Sequence, residues 1–214
     1  RSKSFYTFIC FGCFYGLFYC SFSKIIIKHE PDYFYSYDDI YDFSDGDSVR
    51  PRISLGTDDC PHVAWQDDGD IDAADIDGND DIYYRGSDID VNGNCVWGAT
   101  TLVSTEGNFT STFSPKIIVD QRSFPTSVWI AWHGGGDVLS SGTDNDVFAR
   151  MVTGSTLGTL ELISDDPANG SSQFPSMSTD ADSNVYISWQ DNGNMSNAGS
   201  DLDIFERFWN GATW

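Results

Sequence analysis

The acidic run at residues 65–81 is the densest set of metal-ligating side chains in the chain, and it reads WQDDGDIDAADIDGNDD. Carboxylate and amide oxygens spaced around a glycine turn suit Ca²⁺, which takes about six to eight oxygen ligands. The spacing is not that of an EF-hand, since Asp80 stands where that loop needs glycine and Gly86 where it needs glutamate. We predict a Ca²⁺ site, with Ca²⁺ as the one expected cofactor, at Asp75, Asp77, Asn79 and Asp81.

Carboxylic acids also serve glycoside hydrolysis, which usually needs two of them at a defined separation. The chain has 33 acidic residues, of which only four are Glu. The sequence alone does not place any two of these acids at a fixed distance. Histidine and cysteine show no zinc-type spacing. We therefore assign no catalytic residue from the sequence.

The overall composition excludes two classes of protein. The formal net charge of −22 and the isoelectric point near 4.1 oppose nucleic-acid binding, which needs clustered Lys and Arg. An aromatic content of 15% is too high for a disordered chain. Asp favours turns whereas Glu favours helices, so the large excess of Asp predicts a protein rich in loops and poor in helices.

The N-terminal part of the chain differs from the rest. Residues 4–23 carry no charge and lie between the basic residues Arg1, Lys3 and Lys24. An apolar run of this length is typical of a signal peptide or membrane anchor, so we expect residues 1–29 to direct the protein to a secreted or cell-surface location. Contact with a membrane is expected only through this segment. Residues 30–50 read as an acidic linker.

A repeat of about sixty residues occupies the remainder and is the strongest signal in the sequence. Each unit opens with a proline, continues to a β-type run that ends in Trp, and then reaches an Asp four residues before an Arg. In the two complete units a Ser follows, eleven residues before the proline of the next unit. The unit boundaries are predicted at 51–114, 115–174 and 175–214.

Short β-type runs separated by Gly, Asp, Asn and Ser predict four antiparallel strands per complete unit. Repeated four-stranded units are typical of β-propeller blades. We predict an all-β fold of consecutive blades, with two complete and the first three strands of a third. Propellers close with about four to eight blades, so further blades of the same polypeptide are expected, with closure by self-association as the alternative.

Three residue types recur once per unit, and we expect them to serve the blades. The Trp residues are predicted to pack between blades, with sugar stacking as the alternative. The Arg residues are predicted to pair with the neighbouring blade, and the Asp residues to accept backbone N–H groups in the hairpin. These sets are Trp65, Trp132 and Trp189; Arg85, Arg150 and Arg207; and Asp81, Asp146 and Asp203.

The units resemble the sialidase-like, BNR-repeat β-propellers of secreted and cell-surface proteins. The resemblance covers residues 51–214 and includes the Pro-x-Ile opening, the Trp-ended strand, the Asp-Ile-Tyr-x-Arg pattern and Gly-x-Thr-Trp at 211–214. Only this second half of the family's Asp-box is present, because Arg207 and Trp209 occupy its Ser and Asp positions. The family's Phe/Tyr-Arg-Ile-Pro motif is missing, and the sequence alone does not assign its Tyr–Glu pair.

Two cysteines lie in the first unit at places that a meander brings together. Cys60 falls in the turn between the first two strands, and Cys95 in the connection between the third and fourth. Both turns emerge at the same end of a four-stranded meander, so we predict a Cys60–Cys95 disulfide. An oxidising compartment outside the cytosol is where such a bond persists.

The sequence as a whole predicts a non-catalytic recognition scaffold, secreted or at the cell surface, that binds a protein or glycan through loops at one end of the blades. The alternative is a fragment of a sialidase-like glycoside hydrolase or another carbohydrate-active propeller. An enzyme should break the repeat with unmatched acids and arginines, whereas the visible units are alike.

Overall fold

A computed structural model of the chain describes residues 46–69, 79–107, 109–122, 126–165, 170–194 and 197–214. These residues form antiparallel sheets, as predicted, with one short 3-10 helix at Val138–Ser140. Within these ranges no helix has the length and apolar character needed to cross a membrane.

The first sheet has the strands β1 (Val49–Leu55), β2 (Pro61–Asp67), β3 (Asp81–Ile89), β4 (Cys95–Trp97) and β5 (Thr101–Leu102). The order is β1-β2-β3-β4, and β5 also pairs with β3. The fourth-strand position is thus shared by two short strands along one edge of β3. β1 begins two residues before the proline that opens the sequence repeat.

The second sheet is a complete four-stranded meander. It contains β6 (Ser111–Asp120), β7 (Ser127–Gly135), β8 (Asp146–Thr153) and β9 (Thr156–Leu162), in sequence order. Burial is nearly continuous along β7 and β8, so side chains on both faces of this sheet are covered, because a sheet packs on each side.

The third sheet has three strands in the described residues: β10 (Gln173–Thr179), β11 (Val185–Asp191) and β12 (Asp203–Trp209). Its burial alternates along β11 and β12, so that one face is covered and the other is open.

The three sheets pack face against face in chain order. One apolar cluster joins residues of the first sheet, such as Ile82, to Ile130 and Trp132 of the second. Another joins Trp129 of the second sheet to Ile187 and Trp189 of the third. The first strands β1, β6 and β10 lie beside one another. Consecutive antiparallel meanders stacked with their first strands adjacent are the blades of an incomplete β-propeller, which confirms the predicted fold class.

The recurrent Trp of each second strand is buried against an aromatic residue of the third strand. All three Trp side chains are less than 5% exposed. Each stacks on its cross-strand partner at a ring separation of 6.0–6.4 Å, a type of pair that stabilises sheets beyond its buried area. The pairs are Trp65–Tyr83, Trp132–Phe148 and Trp189–Phe205.

The recurrent Arg residues reach backward to the preceding blade. Arg150 on β8 donates to the carbonyl oxygen of Val103 at 2.6 Å and pairs with Glu106, both in the first unit. Arg207 on β12 donates to the carbonyl of Ile163, at the matching place in the second unit, at 3.1 Å. Arg85 donates to the carbonyl of Gly98 within its own unit. Two of the three arginines therefore join consecutive blades.

Two of the three recurrent Asp residues, Asp81 and Asp146, accept a hydrogen bond from the recurrent Ser. The Ser104 hydroxyl donates to Asp81 and accepts the N–H of Ile82 at 2.9 Å. The Ser164 hydroxyl donates to Asp146 at 3.0 Å and accepts the matching N–H of Val147 at 2.8 Å. Each Asp–Ser pair is buried and ties the end of the fourth-strand segment to the start of the third strand.

The predicted disulfide is present. Cys60 and Cys95 are bonded, with Cα atoms 5.4 Å apart. Cys60 lies in the turn before β2, as expected, whereas Cys95 is the first residue of β4 rather than part of a connection. The bond closes one end of the first blade.

Candidate functional site

The residue before the opening proline of each unit has an unusual backbone. Arg50, Ser114 and Phe174 have φ angles of 53°, 57° and 54°. At each of them the pairing between the first and second strands slips, which is the mark of a β-bulge. All three units thus contain the same bulge, on the first strands β1, β6 and β10.

A left-handed φ at three non-glycine residues is costly. Such residues are uncommon, and a following proline favours an extended conformation instead. Strain of this kind, about 1–3 kcal/mol per residue, persists where the surrounding structure enforces it and clusters at binding sites. The bulge turns the side chains of Arg50 and Phe174 to solvent, where Phe174 is 57% exposed. This repeated bulge locates the candidate site.

Three basic side chains lie together at this place; we call Arg50, Arg52 and Lys116 the cation cluster. Burial lowers the pKa of Lys116, and the nearby positive charges of Arg52 and then Arg50 lower it further. Like charges brought together repel one another and attract an anion.

The cluster stands out because cations are scarce. Beyond residue 29 the sequence holds seven Lys and Arg residues against 33 acids. The four outside the cluster have structural partners: three are the recurrent arginines, which bond to backbone carbonyls of their own or the preceding blade, and Arg122 pairs with Asp120 at 3.1 Å. The cluster members come from the first strands of two blades.

Gln66 connects the cation cluster to the blade interface. Its side-chain oxygen accepts a hydrogen bond from the Arg50 guanidinium at 2.7 Å and from the backbone N–H of Ser114 at 3.4 Å. Its side-chain nitrogen donates to Asp80 at 2.6 Å. Gln66 is buried, so these bonds fix the guanidinium of Arg50 relative to the second blade.

An aromatic row continues the site from the second blade to the third; it consists of Phe113, His133 and Phe174. The Arg50 guanidinium lies 5.8 Å from the ring centroid of Phe113, within the range of a cation–π contact. Phe113 and His133 are 5.6 Å apart, and His133 and Phe174 are 5.3 Å apart, between ring centroids. Cations and rings therefore form one continuous series of contacts across three blades, in which His133 is buried.

His133 is held neutral inside this row. It is 5% exposed, and burial lowers its pKa to about 4, helped by the charges of Arg50 and Lys116. The backbone N–H of Phe174 donates to Nδ1 at 3.4 Å, so the proton of the neutral ring is on Nε2. A neutral imidazole leaves the positive charge of the site to the cation cluster.

The depressed pKa of His133 predicts a pH-dependent stability. In the unfolded chain His titrates near 6.5, so the stability that neutral His133 contributes is complete above that pH and is lost as the pH falls toward about 4. His133→Gln, which installs the residue present at this position in the other two blades, should remove that loss. The Tm of the variant minus that of wild type should be about 3–6 °C larger at pH 4.5 than at pH 7.

Comparing the two proteins at each pH isolates His133 from other titrations. The carboxyl of Asp146 has a pKa raised to about 6 by burial and therefore gains stability on acidification, but it does so equally in both proteins. A difference in Tm that stays constant from pH 7 to pH 4.5 would show that His133 does not titrate as described.

Only two of the four residues predicted to bind Ca²⁺ lie within the described residues. Asp75 and Asp77 lie outside the described residues, whereas Asn79 and Asp81 stand at the entry to β3. Asp81 is 7% exposed and accepts the Ser104 hydroxyl. Within the ranges given above, no three His, Cys, Asp or Glu side chains are grouped to hold a metal ion. Calcium binding stays a prediction from sequence.

The cation cluster and the aromatic row were not predicted from the sequence. The signal was present, because a basic residue follows the opening proline in two units, at Arg52 and Lys116. The third unit has Ser176 there, so the pattern is not strictly periodic. Only the adjacency of the first strands brings these positions together.

The sequence matches no protein-family model, and it matches no curated protein. The solved structures that are similar to the chain include two fungal enzymes. One is the α-L-arabinanase of Penicillium chrysogenum complexed with arabinobiose, at 8% identity and a TM-score of 0.42. The other is the GH93 α-L-arabinofuranosidase of Fusarium graminearum with arabinobiose, at 15% identity and a TM-score of 0.39.

The similarity covers about three quarters of this chain, 75% and 76% respectively. The chain spans 62% of the length of the arabinanase and 45% of that of the arabinofuranosidase.

Proposed function

We propose that this protein is an extracellular or cell-surface recognition propeller that binds an acidic saccharide at the first strands of its blades. The observation that carries the proposal is the convergence of Arg50, Arg52 and Lys116 beside an exposed Phe174, in a chain of net charge −22. The cations would hold a carboxylate, and the rings would stack on the apolar face of a sugar.

The location outside the cytosol belongs to the same proposal. It is supported by the Cys60–Cys95 disulfide, since such bonds persist in oxidising compartments, and by the uncharged segment at residues 4–23. The narrower likeness to sialidase-like propellers rests on the sequence repeat and the Gly-x-Thr-Trp at 211–214.

Binding can be tested with trigalacturonic acid as the acidic probe and maltotriose as the neutral one, by titration calorimetry. We expect the acidic trisaccharide to bind and the neutral one to bind at least about 10-fold more weakly, a difference of about 1.4 kcal/mol. Lys116→Gln and Arg52→Gln should each weaken binding of the acid about 10-fold. Phe174→Ser should weaken it severalfold by removing the stacking surface.

Arg122→Gln is the matched control, because it removes the same charge from a residue already paired with Asp120. It should leave the affinity unchanged at 0.15 M salt, where distant charges are screened beyond about 8 Å. Equal affinity for acidic and neutral sugars, or full affinity in Lys116→Gln, would contradict the proposal.

The rival function is glycoside hydrolysis, the activity of the two fungal proteins named above. A chromatographic assay for products from arabino-oligosaccharides and from sialyllactose decides between the two. Release of monosaccharide would favour the hydrolase, whereas intact substrates together with binding of the acidic probe would favour the recognition module.

A further inference from the structure

The loop between β7 and β8, residues 136–145, has an unusual backbone. Leu139 and Ser140 have φ angles of 57° and 65°, and Gly136 and Gly142 have φ angles of 106° and 110°. Two consecutive non-glycine residues in the left-handed region are rare, because the Cβ atom crowds the backbone there. Asn and Asp tolerate this conformation, whereas Leu does not. The loop is therefore strained at Leu139.

The β7–β8 loop is anchored to the blade on both sides of the strained residues. Val138 is 2% exposed and belongs to the apolar cluster that contains Trp132. The backbone N–H of Ser141 donates to the carbonyl of Val138 at 3.1 Å, and the N–H of Gly142 donates to the Asp137 carboxylate at 3.3 Å. These contacts hold the left-handed residues in one conformation, which is the condition under which strain persists.

Burial does not explain why a Leu occupies this position. The Leu139 side chain is 54% exposed, and Ser140 is exposed as well. An aliphatic side chain that lies half outside the fold contributes only part of its hydrophobic stabilisation, and Asn would suit the backbone better. Leu139 is thus an exposed apolar contact held rigidly in place, and strain of this kind clusters at binding sites.

The β7–β8 loop stands at the end of the second blade that also carries the aromatic row. β6 begins where β7 ends, with Ser111 opposite Gly135 and Phe113 opposite His133. The loop starts directly after Gly135 and so continues from the strand that carries His133. A ligand bound along the aromatic row therefore has the loop at the end of the same blade.

The charge of the loop is opposite to that of the cation cluster. Its charged residues are Asp137 and Asp144, and it has no Lys or Arg. A sugar carboxylate is attracted by the cation cluster and repelled by these aspartates, which can instead accept hydrogen bonds from the hydroxyl groups of a neutral sugar. Acidic and neutral sugar units therefore favour different parts of the candidate site.

We propose that the β7–β8 loop is a second subsite, which takes a neutral sugar unit beside the acidic unit held by the cation cluster. Leu139 would lie against the apolar C–H face of the neutral unit, and Asp144 would accept one of its hydroxyl groups. This inference rests on the saccharide binding proposed above and narrows the ligand class to oligosaccharides that combine acidic and neutral sugars. A polyuronide would bring a second carboxylate toward Asp137 and Asp144.

The experiment titrates the full-length protein with three ligands and follows the NMR signals of the ligand, which also report weak binding. The ligands are glucuronic acid, trigalacturonic acid and aldotriouronic acid, in which a glucuronic acid unit is joined to xylobiose. Aldotriouronic acid should bind about 10-fold more tightly than glucuronic acid and about threefold more tightly than trigalacturonic acid.

Two variants assign this difference to the loop. Leu139→Asn should weaken binding of aldotriouronic acid about 5-fold and change that of glucuronic acid by less than about twofold, because only the neutral units reach the loop. Asp144→Asn should tighten binding of trigalacturonic acid about threefold, because it removes a repulsive charge.

The stability of Leu139→Asn separates a binding role from a structural one. Asn tolerates the left-handed backbone, so the variant should keep the wild-type Tm or raise it by up to about 3 °C while it loses affinity. Val91→Asn is the matched control, because Val91 is fully exposed in the turn between β3 and β4, at the opposite end of its blade. It should leave the affinity for all three ligands unchanged.

Equal affinity for aldotriouronic acid and glucuronic acid would overturn the second subsite and leave the cation cluster as an anion site. A lower Tm with wild-type affinity in Leu139→Asn would also overturn it, since Leu139 would then serve the fold alone. If none of the three ligands binds, or if Lys116→Gln binds them all as wild type does, the saccharide proposal itself fails and the second subsite fails with it.

Discussion

Removal of the Cys60–Cys95 disulfide should lower the free energy of unfolding by about 3–4 kcal/mol. The two cysteines are 35 residues apart in sequence, and a cross-link of that span restricts the unfolded chain while the folded blade already holds both residues in place. The double variant Cys60→Ala/Cys95→Ala should therefore unfold at a lower denaturant concentration with a changed slope, measured by intrinsic tryptophan fluorescence.

Reducing agent provides the control for this prediction. It should shift the wild-type transition to that of the double variant and leave the variant itself unaffected, which separates the bond from the loss of two side chains. Wild type and double variant with equal midpoints under oxidising conditions would show that the bond does not stabilise the blade.

Replacement of Arg150 by Met should destabilise the protein by about 3 kcal/mol. Arg150 is 4% exposed, and its guanidinium donates to the Val103 carbonyl, to the Thr105 hydroxyl at 3.0 Å and to Glu106. Met retains much of the apolar stem but leaves the carbonyl and the carboxylate of the preceding blade without their donor. Glu106 keeps 30% of its side chain exposed, so the effect should lie at the lower end for a broken buried pair.

Arg122→Met is the matched comparison. The side chain of Arg122 is 34% exposed in its pair with Asp120, and exposed pairs contribute less than about 1 kcal/mol. Both variants are compared with wild type by urea unfolding at pH 7. A loss in Arg150→Met no greater than that in Arg122→Met would mean that the cross-blade bonds do not hold the two sheets together.

Much of the fold follows from the sequence because its signals are local and repeated. A proline, a Trp-ended strand and the Asp before each third strand mark the same three strands in every unit, and the structure contains them. The disulfide could be predicted for the same reason, since the ends of a meander are known once its strands are assigned. The break of the fourth position into β4 and β5 was not visible, because so few residues form each strand.

The candidate site is less accessible to such reasoning. A residue before proline is expected to be extended, and the left-handed conformation of Arg50, Ser114 and Phe174 contradicts that local preference. Only the packing of neighbouring first strands imposes it. The cation cluster likewise joins residues of two blades, which no local pattern connects.

The Asp–Ser pairs fall between these cases. The equal spacing from Ser104 and Ser164 to the next proline marked both residues as part of the repeat, but the sequence did not say which group they contact. The Asp was instead expected to bond its own hairpin, which is the commonest local use of Asp. The actual partner is the Ser that follows the fourth-strand segment.

Arg150 and Arg207 bond to the preceding blade, and this direction bears on the order in which the blades can assemble during synthesis on the ribosome. In each junction the donor belongs to the later blade, and the acceptors are backbone carbonyls at the end of the earlier one. A chain that emerges from its N-terminus completes these carbonyls before the matching guanidinium is synthesised. We therefore expect each nascent blade to dock on a blade that has already been synthesised.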